Sequence, residues 1–366
     1  MPMSDEHFDI AVIGGGPAGT SAAITAARFG ARVVIFEGRD FPRHKVCGEF
    51  ISAEALGVLA VLLDGSENDS RLADIAPPLS RARLFLGRRA IEAKIQPAAV
   101  SITRYDLDAA LWSVAKRAGV DTRANSEILS VSGDGPFQVA TSSGPCIAKA
   151  VVIAAGRWSQ FTADRTVPPG PRWIGLKAHF REANPSLSSD LYFFEDGYCG
   201  VQPVSDHVVN ACAMIRSDCA TTLPEVFALH TRLSQRADKW RPVTQVVSTA
   251  PLIYRRPQPT RDNMLYVGDA AAFIDPFVGD GISIALRSGR VAAECLQQYV
   301  SGDATLSSCV ARYEREYSQQ FAPLLVAAAK VRSLLSLPAA ARALAFELLR
   351  LPGVMPLVLR KTRRAS

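Results

Sequence analysis

The sequence predicts an α/β chain, α+β overall, with a nucleotide-binding parallel-sheet domain, an antiparallel-sheet second domain and a helical C-terminal region. Three observations carry this. FDIAVIGGGPAGTSAAITAARFGARVVIFE, starting at Phe8, reads as strand, glycine turn, helix and strand. DNMLYVGDAAAFIDPFVGDGISIALRSG, starting at Asp262, reads as a second strand, glycine loop and helix. Between them, from about 165 to 260, the texture changes to short β-branched and aromatic runs broken by turns.

In chain order, Phe8 to Ile13 is an apolar strand of the kind buried on both faces. Gly14, Gly16 and Gly19, with Pro17 and Ala18 between them, give G-x-G-x-x-G. The first glycine permits the tight turn, the second lets a pyrophosphate approach the backbone, and the third lets helix and sheet pack closely. The helix is expected from Pro17 to Phe29, capped at Gly30, with its N-terminal amides facing the phosphates. A second strand ends at Glu37, whose carboxylate can accept from ribose hydroxyls, and Gly38 and Arg39 follow. FPRHKVCGEF, Phe41 to Phe50, then brings Arg43, His44 and Lys45 up to a lone thiol, Cys47. Taken by itself, Cys47 is a redox nucleophile, a pocket wall or a packed thiol. SITRYDLDAALWSVAKRAGV (101–120) reads as a helix, and AKAVVIAAGRWS (148–159) as an apolar strand ending at Ala155-Gly156.

VPPGP (167–171) reads as a linker, and RWIGLKAHF, DLYFFEDGYCGVQPV and HVVNACAMI as strands of an antiparallel sheet. The strand at Met264 to Val267 ends at Gly268-Asp269. Pro276 and the loop Gly279-Asp280-Gly281 follow, and a helix opens at Ile282. Asp275 and Asp280 suit capping better than proton donation. Beyond Leu296 the chain turns helical and ends in a basic cluster. The expected domains are 1–165 plus 262–300, with an inserted segment at about 50–100; 166–261; and a helical region, 301–366.

Composition narrows the function. In 366 residues, 48% are hydrophobic and 21% charged, the balance of a folded globular protein. Seven cysteines form no C-x-x-C pair and no zinc-ligand spacing, which suits reduced thiols in the cytoplasm. No metal site is expected, because His179, His207 and His230 have neither metal-ligand spacing nor a carboxylate set beside them in a recognised motif. The N-terminus shows no secretory pattern and no apolar run reaches spanning length. A net charge of +6 without a basic-aromatic pattern argues against nucleic acid. The basic C-terminus suits peripheral contact with a membrane surface. Oligomeric state is not legible.

The two glycine segments together resemble the FAD motifs of the para-hydroxybenzoate hydroxylase superfamily. The resemblance implies FAD, a glutathione-reductase-type, Rossmann-like domain, and Asp269 on the ribityl chain. It also implies that the helix from Ile282 points at the flavin pyrimidine edge and that Arg104 reaches the phosphates or ribityl chain. Within the superfamily, PRHKVCGEFIS is similar to the P-x-x-K-x-C-G-x-x-x-S segment of geranylgeranyl-reductase-like flavoproteins, matching at Pro42, Lys45, Cys47, Gly48 and Ser52. This implies that Lys45, Val46, Cys47 and Gly48 lie by the flavin, with Cys47 between flavin and substrate as the candidate catalytic residue. Nearby positive charge is expected to lower its pKa.

The chain departs from the family at Ala155-Gly156, where Asp-Gly is usual, so a standard pyridine-nucleotide contact is missing. The electron donor stays open, with NAD(P)H as an external reductant one choice. In GYCGVQP (197–203), Tyr198, Gln202 and Pro203 are implied to contact substrate. The prenyl-reductase aromatics are replaced by Gly200 and Gln202. Halogenation is disfavoured by the missing W-x-W and by the absence of lysine between Lys45 and Lys94. The first reading is a monooxygenase acting through a C4a-hydroperoxyflavin on a small lipophilic or aromatic substrate. The second is a reductase or dehydrogenase of carbon-carbon bonds in a lipophilic substrate. The non-enzyme alternative is a prenyl- or lipid-binding protein on the same fold.

Overall fold

The computed structural model describes residues 6–63, 72, 74–157, 159–161, 170, 172–249, 251–274, 279–335, 341 and 347. Its first sheet has a parallel centre. Strand Glu6–Ile13 lies between Val33–Phe36 and Cys146–Ile153, in register from Ile10 to Val33 on one side and to Ala150 on the other. Asp121–Arg123 extends the sheet beyond Val33–Phe36, and Met264–Tyr266 extends it beyond Cys146–Ile153. All four residues of Val33–Phe36 are buried, as a strand covered on both faces requires.

Helix Pro17–Arg28 makes the crossover and stops one residue short of expectation, with Phe29 as C-cap and Gly30 at φ +89. The helix Gly281–Val300 packs directly on it, and the long helix Leu306–Leu335 packs on that. The approach between the first two is unusually close. A Cβ on Gly289 would stand 2.1 Å from the Ala18 carbonyl oxygen, so this contact is built for glycine.

The second sheet is mostly antiparallel. Its centre runs Trp173–Arg181, Val208–Arg216, Gly197–Ser205 and Ser188–Phe194. Pro78–Leu86 and Arg89–Ser101, from the inserted segment, continue it, Pro78–Leu86 lying parallel to Ser188–Phe194. Phe50–Ile51 closes the edge against Arg89–Ser101. The chain therefore leaves the first sheet at Phe36 and reaches the second at Phe50. The segment that carries Cys47 is the bridge between the two. The linker expected at 167–171 lies outside the described residues apart from Gly170, as does the C-terminal stretch beyond Leu335 apart from positions 341 and 347. Among the described residues no helix is long and apolar enough to cross a membrane.

Candidate active site

Gly14 has φ +110, and a Cβ there would meet the Ala154 carbonyl oxygen at 2.4 Å; at Gly19 a Cβ would stand 1.8 Å from the Gly14 oxygen. These two glycines let strand, turn and helix come together. Gly16 is different. The atoms nearest to an added Cβ are Nη2 of Arg104 and Nζ of Lys45, both at 3.8 Å. Two cations thus converge on the turn that opens helix Pro17–Arg28, where backbone amides and the helix dipole already favour an anion.

Asp108 sets these cations. Its carboxylate takes both Nε and Nη2 of Arg104 at 2.7 Å and Nζ of Lys45 at 3.1 Å. Burial works against the charge on Asp108, but Arg104 and Lys45 outweigh it and keep the carboxyl below its ordinary value. Burial pulls Lys45 down, with Asp108 opposing. Burial also opposes the charge on Arg104, yet the Asp108 carboxylate holds it above its ordinary value. Asp108 lies one turn beyond Arg104 on helix Arg104–Arg117, an i,i+4 spacing visible in the sequence but not singled out there. Glu37 accepts from the Gly15 amide at 3.0 Å and from Arg43 at 2.9 Å.

This turn opens into a cavity of about 1180 Å³, above the usual range for a single small ligand. Gly14, Gly16, Pro17, Ala18, Glu37, Gly38 and Arg39 line it at one part of the wall. Lys45, Val46, Cys47, Gly48 and Arg104 line another. Ala155, Gly156, Asp269, Gly279, Gly281 and Ile282 bring in the distant segments. Gly19, Gly268 and Asp280 stand behind the lining. Gly19 packs on the turn, Gly268 donates its amide to Ser288 Oγ, and Asp280 is the N-cap residue of helix Gly281–Val300. Pro276 and Asp275 lie outside the described residues. The glycine cradle, the paired cations and the cavity size fit FAD. Its pyrophosphate would be held by Arg104, Lys45 and the turn amides.

The bridge segment is anchored by a residue that the sequence did not flag. Glu49 is fully buried and sits at φ +62, left-handed for a non-glycine residue. Its Oε1 accepts from Lys177 Nζ at 2.7 Å and from the Arg104 amide at 2.9 Å, and its Oε2 lies 2.7 Å from His179 Nε2. Burial would raise the Glu49 carboxyl, but His179 and Lys177 hold it below its ordinary value. His179, which has no carboxylate beside it in the sequence, takes one from a distant part of the chain. The contact joins residues 130 apart in sequence, so no local pattern announces it.

Cys47 lines the cavity, accepts from the Glu49 amide at Sγ, and is fixed through its carbonyl by Asn210. The expected lowering of its pKa is reversed. Burial pushes the thiol up, and Arg104 offsets this only in part. The reason is depth: desolvation of a thiolate outweighs one cation already bound to Asp108.

The far part of the cavity lies on the second sheet. Leu84, Leu191, Met214, Leu252 and Phe273 give it an apolar wall. Tyr198 and Gln202, implied by their motif to contact substrate, line it, whereas Pro203 is buried in its strand away from the lining. Gln202 donates to Ser101 Oγ at 2.7 Å and accepts from Ser189, a polar spot in the apolar wall. Among the described residues no group of histidine, cysteine, aspartate and glutamate forms a metal-binding cluster.

A family model described as FAD dependent oxidoreductase matches residues 9–43. The chain is 26% identical over 359 residues to conditioned medium factor receptor 1 of Dictyostelium discoideum, covering 88% of this chain and 69% of that protein. It is 26% identical over 312 residues to menaquinone reductase of Mycolicibacterium smegmatis, covering 79% and 76%. It is 26% identical over 351 residues to digeranylgeranylglycerophospholipid reductase of Thermoplasma volcanium, covering 86% and 84%. Among solved structures, a flavin-dependent brominase superposes with TM-score 0.80 at 21% identity, covering 97% of this chain and 93% of that one. A geranylgeranyl bacteriochlorophyll reductase-like protein from Thermoplasma acidophilum superposes with TM-score 0.74 at 21% identity, covering 99% and 93%. The structural likenesses establish the fold, and the similarity to geranylgeranyl-reductase-like flavoproteins read from the sequence holds.

Proposed function

We propose that this FAD-dependent oxidoreductase is a reductase that adds a hydride and a proton across a carbon-carbon double bond of a lipophilic substrate. The observation that carries the reading is the cavity, which runs without interruption from the glycine turn to the apolar wall on the second sheet. Relatives named menaquinone reductase and digeranylgeranylglycerophospholipid reductase, aligned over most of this chain, support it. The preference for a monooxygenase drawn from the sequence lacks comparable support, because the brominase likeness bears on the fold.

FAD would supply the hydride. The protein's part is to hold the cofactor and to exclude water. Arg104 and Lys45, ordered by Asp108, fix the phosphates, while the bridge from Lys45 to Phe50 lies along the cavity. Leu84, Leu191, Met214 and Leu252 desolvate the chain of the substrate. Lys177, His179 and Glu49 hold the bridge in one conformation and so fix where Cys47 stands. Cys47 serves as a wall, and its raised pKa keeps it a neutral thiol at physiological pH. NAD(P)H or another external donor reduces the cofactor. A cytoplasmic protein in peripheral contact with a membrane surface, where such substrates reside, is part of the same proposal.

The test begins with FAD-loaded protein reduced anaerobically, then mixed with geranylgeranyl diphosphate. Reoxidation of the flavin with a product two hydrogens heavier for each double bond supports the reading. A product formed only in air and carrying an added oxygen atom would replace it with the monooxygenase.

A further inference from the structure

We propose that Arg157 is an anion anchor in the substrate part of the cavity, and that the substrate carries a carboxylate or phosphate on its lipophilic body. This rests on the reading that the second-sheet part of the cavity receives substrate, and it adds the substrate's polar end. Arg157 was not singled out in the sequence. It follows the Ala155-Gly156 turn and enters the cavity wall where the two sheets meet. Its Nη2 donates to Thr249 Oγ1 at 3.0 Å, across the seam. Its guanidinium lies over the Phe273 ring, 4.3 Å from the centroid.

The charges in the cavity are unequally matched. Arg43, Lys45 and Arg104 each have a carboxylate oxygen within 3.1 Å, and Arg39, also in the lining, is exposed to solvent. The nearest for Arg157 is Asp269, 3.7 Å from Nε and beyond hydrogen-bond reach. Burial pushes the Asp269 carboxyl up, and Arg157 and Arg104 oppose this. Nη1 is sealed from solvent with no acceptor among the described residues. The side chain keeps 18% exposure, and it lines the cavity. A guanidinium stays protonated at these depths, so its fixed charge has to be met by something that enters. The planar fork suits carboxylate or phosphate oxygens, and the apolar surface of Phe273 beneath it, continuous with the apolar cluster that includes Leu252, suits the hydrocarbon attached to them. The anion is distinct from the cofactor's pyrophosphate, which has its own pair of cations at Gly16.

The experiment is calorimetric titration of FAD-loaded protein with decanoate, decyl phosphate and decanol. Binding is read without turnover, so a failure of the reductase reading leaves this result standing, and the reverse also holds. The expected result is that at least one of the two anions binds about tenfold or more tighter than decanol, the scale of one charge-assisted contact. Which anion does so separates carboxylate from phosphate. Arg157→Gln should remove that preference while leaving decanol binding and FAD affinity unchanged, and Arg157→Lys should retain part of it. Thermal melting of each variant checks that it is folded. Equal binding of all three probes, no binding of any, or a preference that survives in Arg157→Gln overturns the proposal. Loss of FAD affinity in Arg157→Gln also overturns it, by assigning the guanidinium to the cofactor.

Discussion

Glu49 is where two parts of the molecule are tied by charge. Three donors surround its carboxylate, two of them from the strand Trp173–Arg181. Glu49→Ala would leave Lys177 buried without its partner, and a loss of about 3–5 kcal/mol is expected, read by urea unfolding. A loss under about 1 kcal/mol would show that the cluster relaxes freely. The pH dependence has a definite sign. The folded Glu49 carboxyl lies below its ordinary value of 4.5, so its contribution is present above that value and is lost as pH falls through the depressed one. Glu49→Gln should therefore flatten the acid limb of the stability curve. Cys47 gives a second prediction at this scale. As a neutral wall it tolerates Cys47→Ala with normal FAD content and near-normal kcat. A drop of about 100-fold or more, the scale of general-acid catalysis, would make it a chemical participant. The sequence brought the right thiol into view but mistook its electrostatics, because depth is a property of the folded chain.

Among the elements, the helix pair Pro17–Arg28 and Gly281–Val300 does the most to shape the cofactor end of the site. Its closeness depends on Gly289, which approaches the backbone of Ala18. Gly289→Ala pushes the two helices apart and should cost about 1–3 kcal/mol by overpacking, visible as a lower Tm together with weaker FAD retention. An unchanged Tm and unchanged FAD binding would mean that the helices slide without penalty. Helix Pro17–Arg28 and its glycine turn were legible to within a residue, since local spacing alone specifies a tight turn followed by a helix. Gly289 was not, because an inward glycine in an alanine-rich helix looks like any other small residue until its neighbour is known. The pairing of Arg104 with Asp108 falls between these cases. The i,i+4 spacing is local, but the burial that makes it matter is not.

At the scale of the whole molecule, two sheets and the bridge between them enclose one cavity with a charged glycine turn at one part and an apolar wall at another. Gly200 lines this wall, and an added Cβ there would already be in contact with Leu191 at 3.4 Å. Gly200→Trp should fill the second-sheet part of the cavity. FAD content is expected to stay normal while the affinity for a lipophilic substrate falls, read by flavin content and by titration with geranylgeranyl diphosphate. Loss of FAD together with the substrate would show that the two parts of the cavity are not separable. The sequence by itself determined the dinucleotide turn and the antiparallel middle, because each depends on spacing within a short stretch of chain, while FAD followed from the resemblance of the two glycine segments to a known family. Only the tertiary structure decided that the inserted strands belong to the second sheet, that Glu49 meets Lys177 and His179, and that Arg157 faces the cavity with too little counter-charge. Those contacts join residues far apart in the chain, and their energies depend on burial, which no local pattern records.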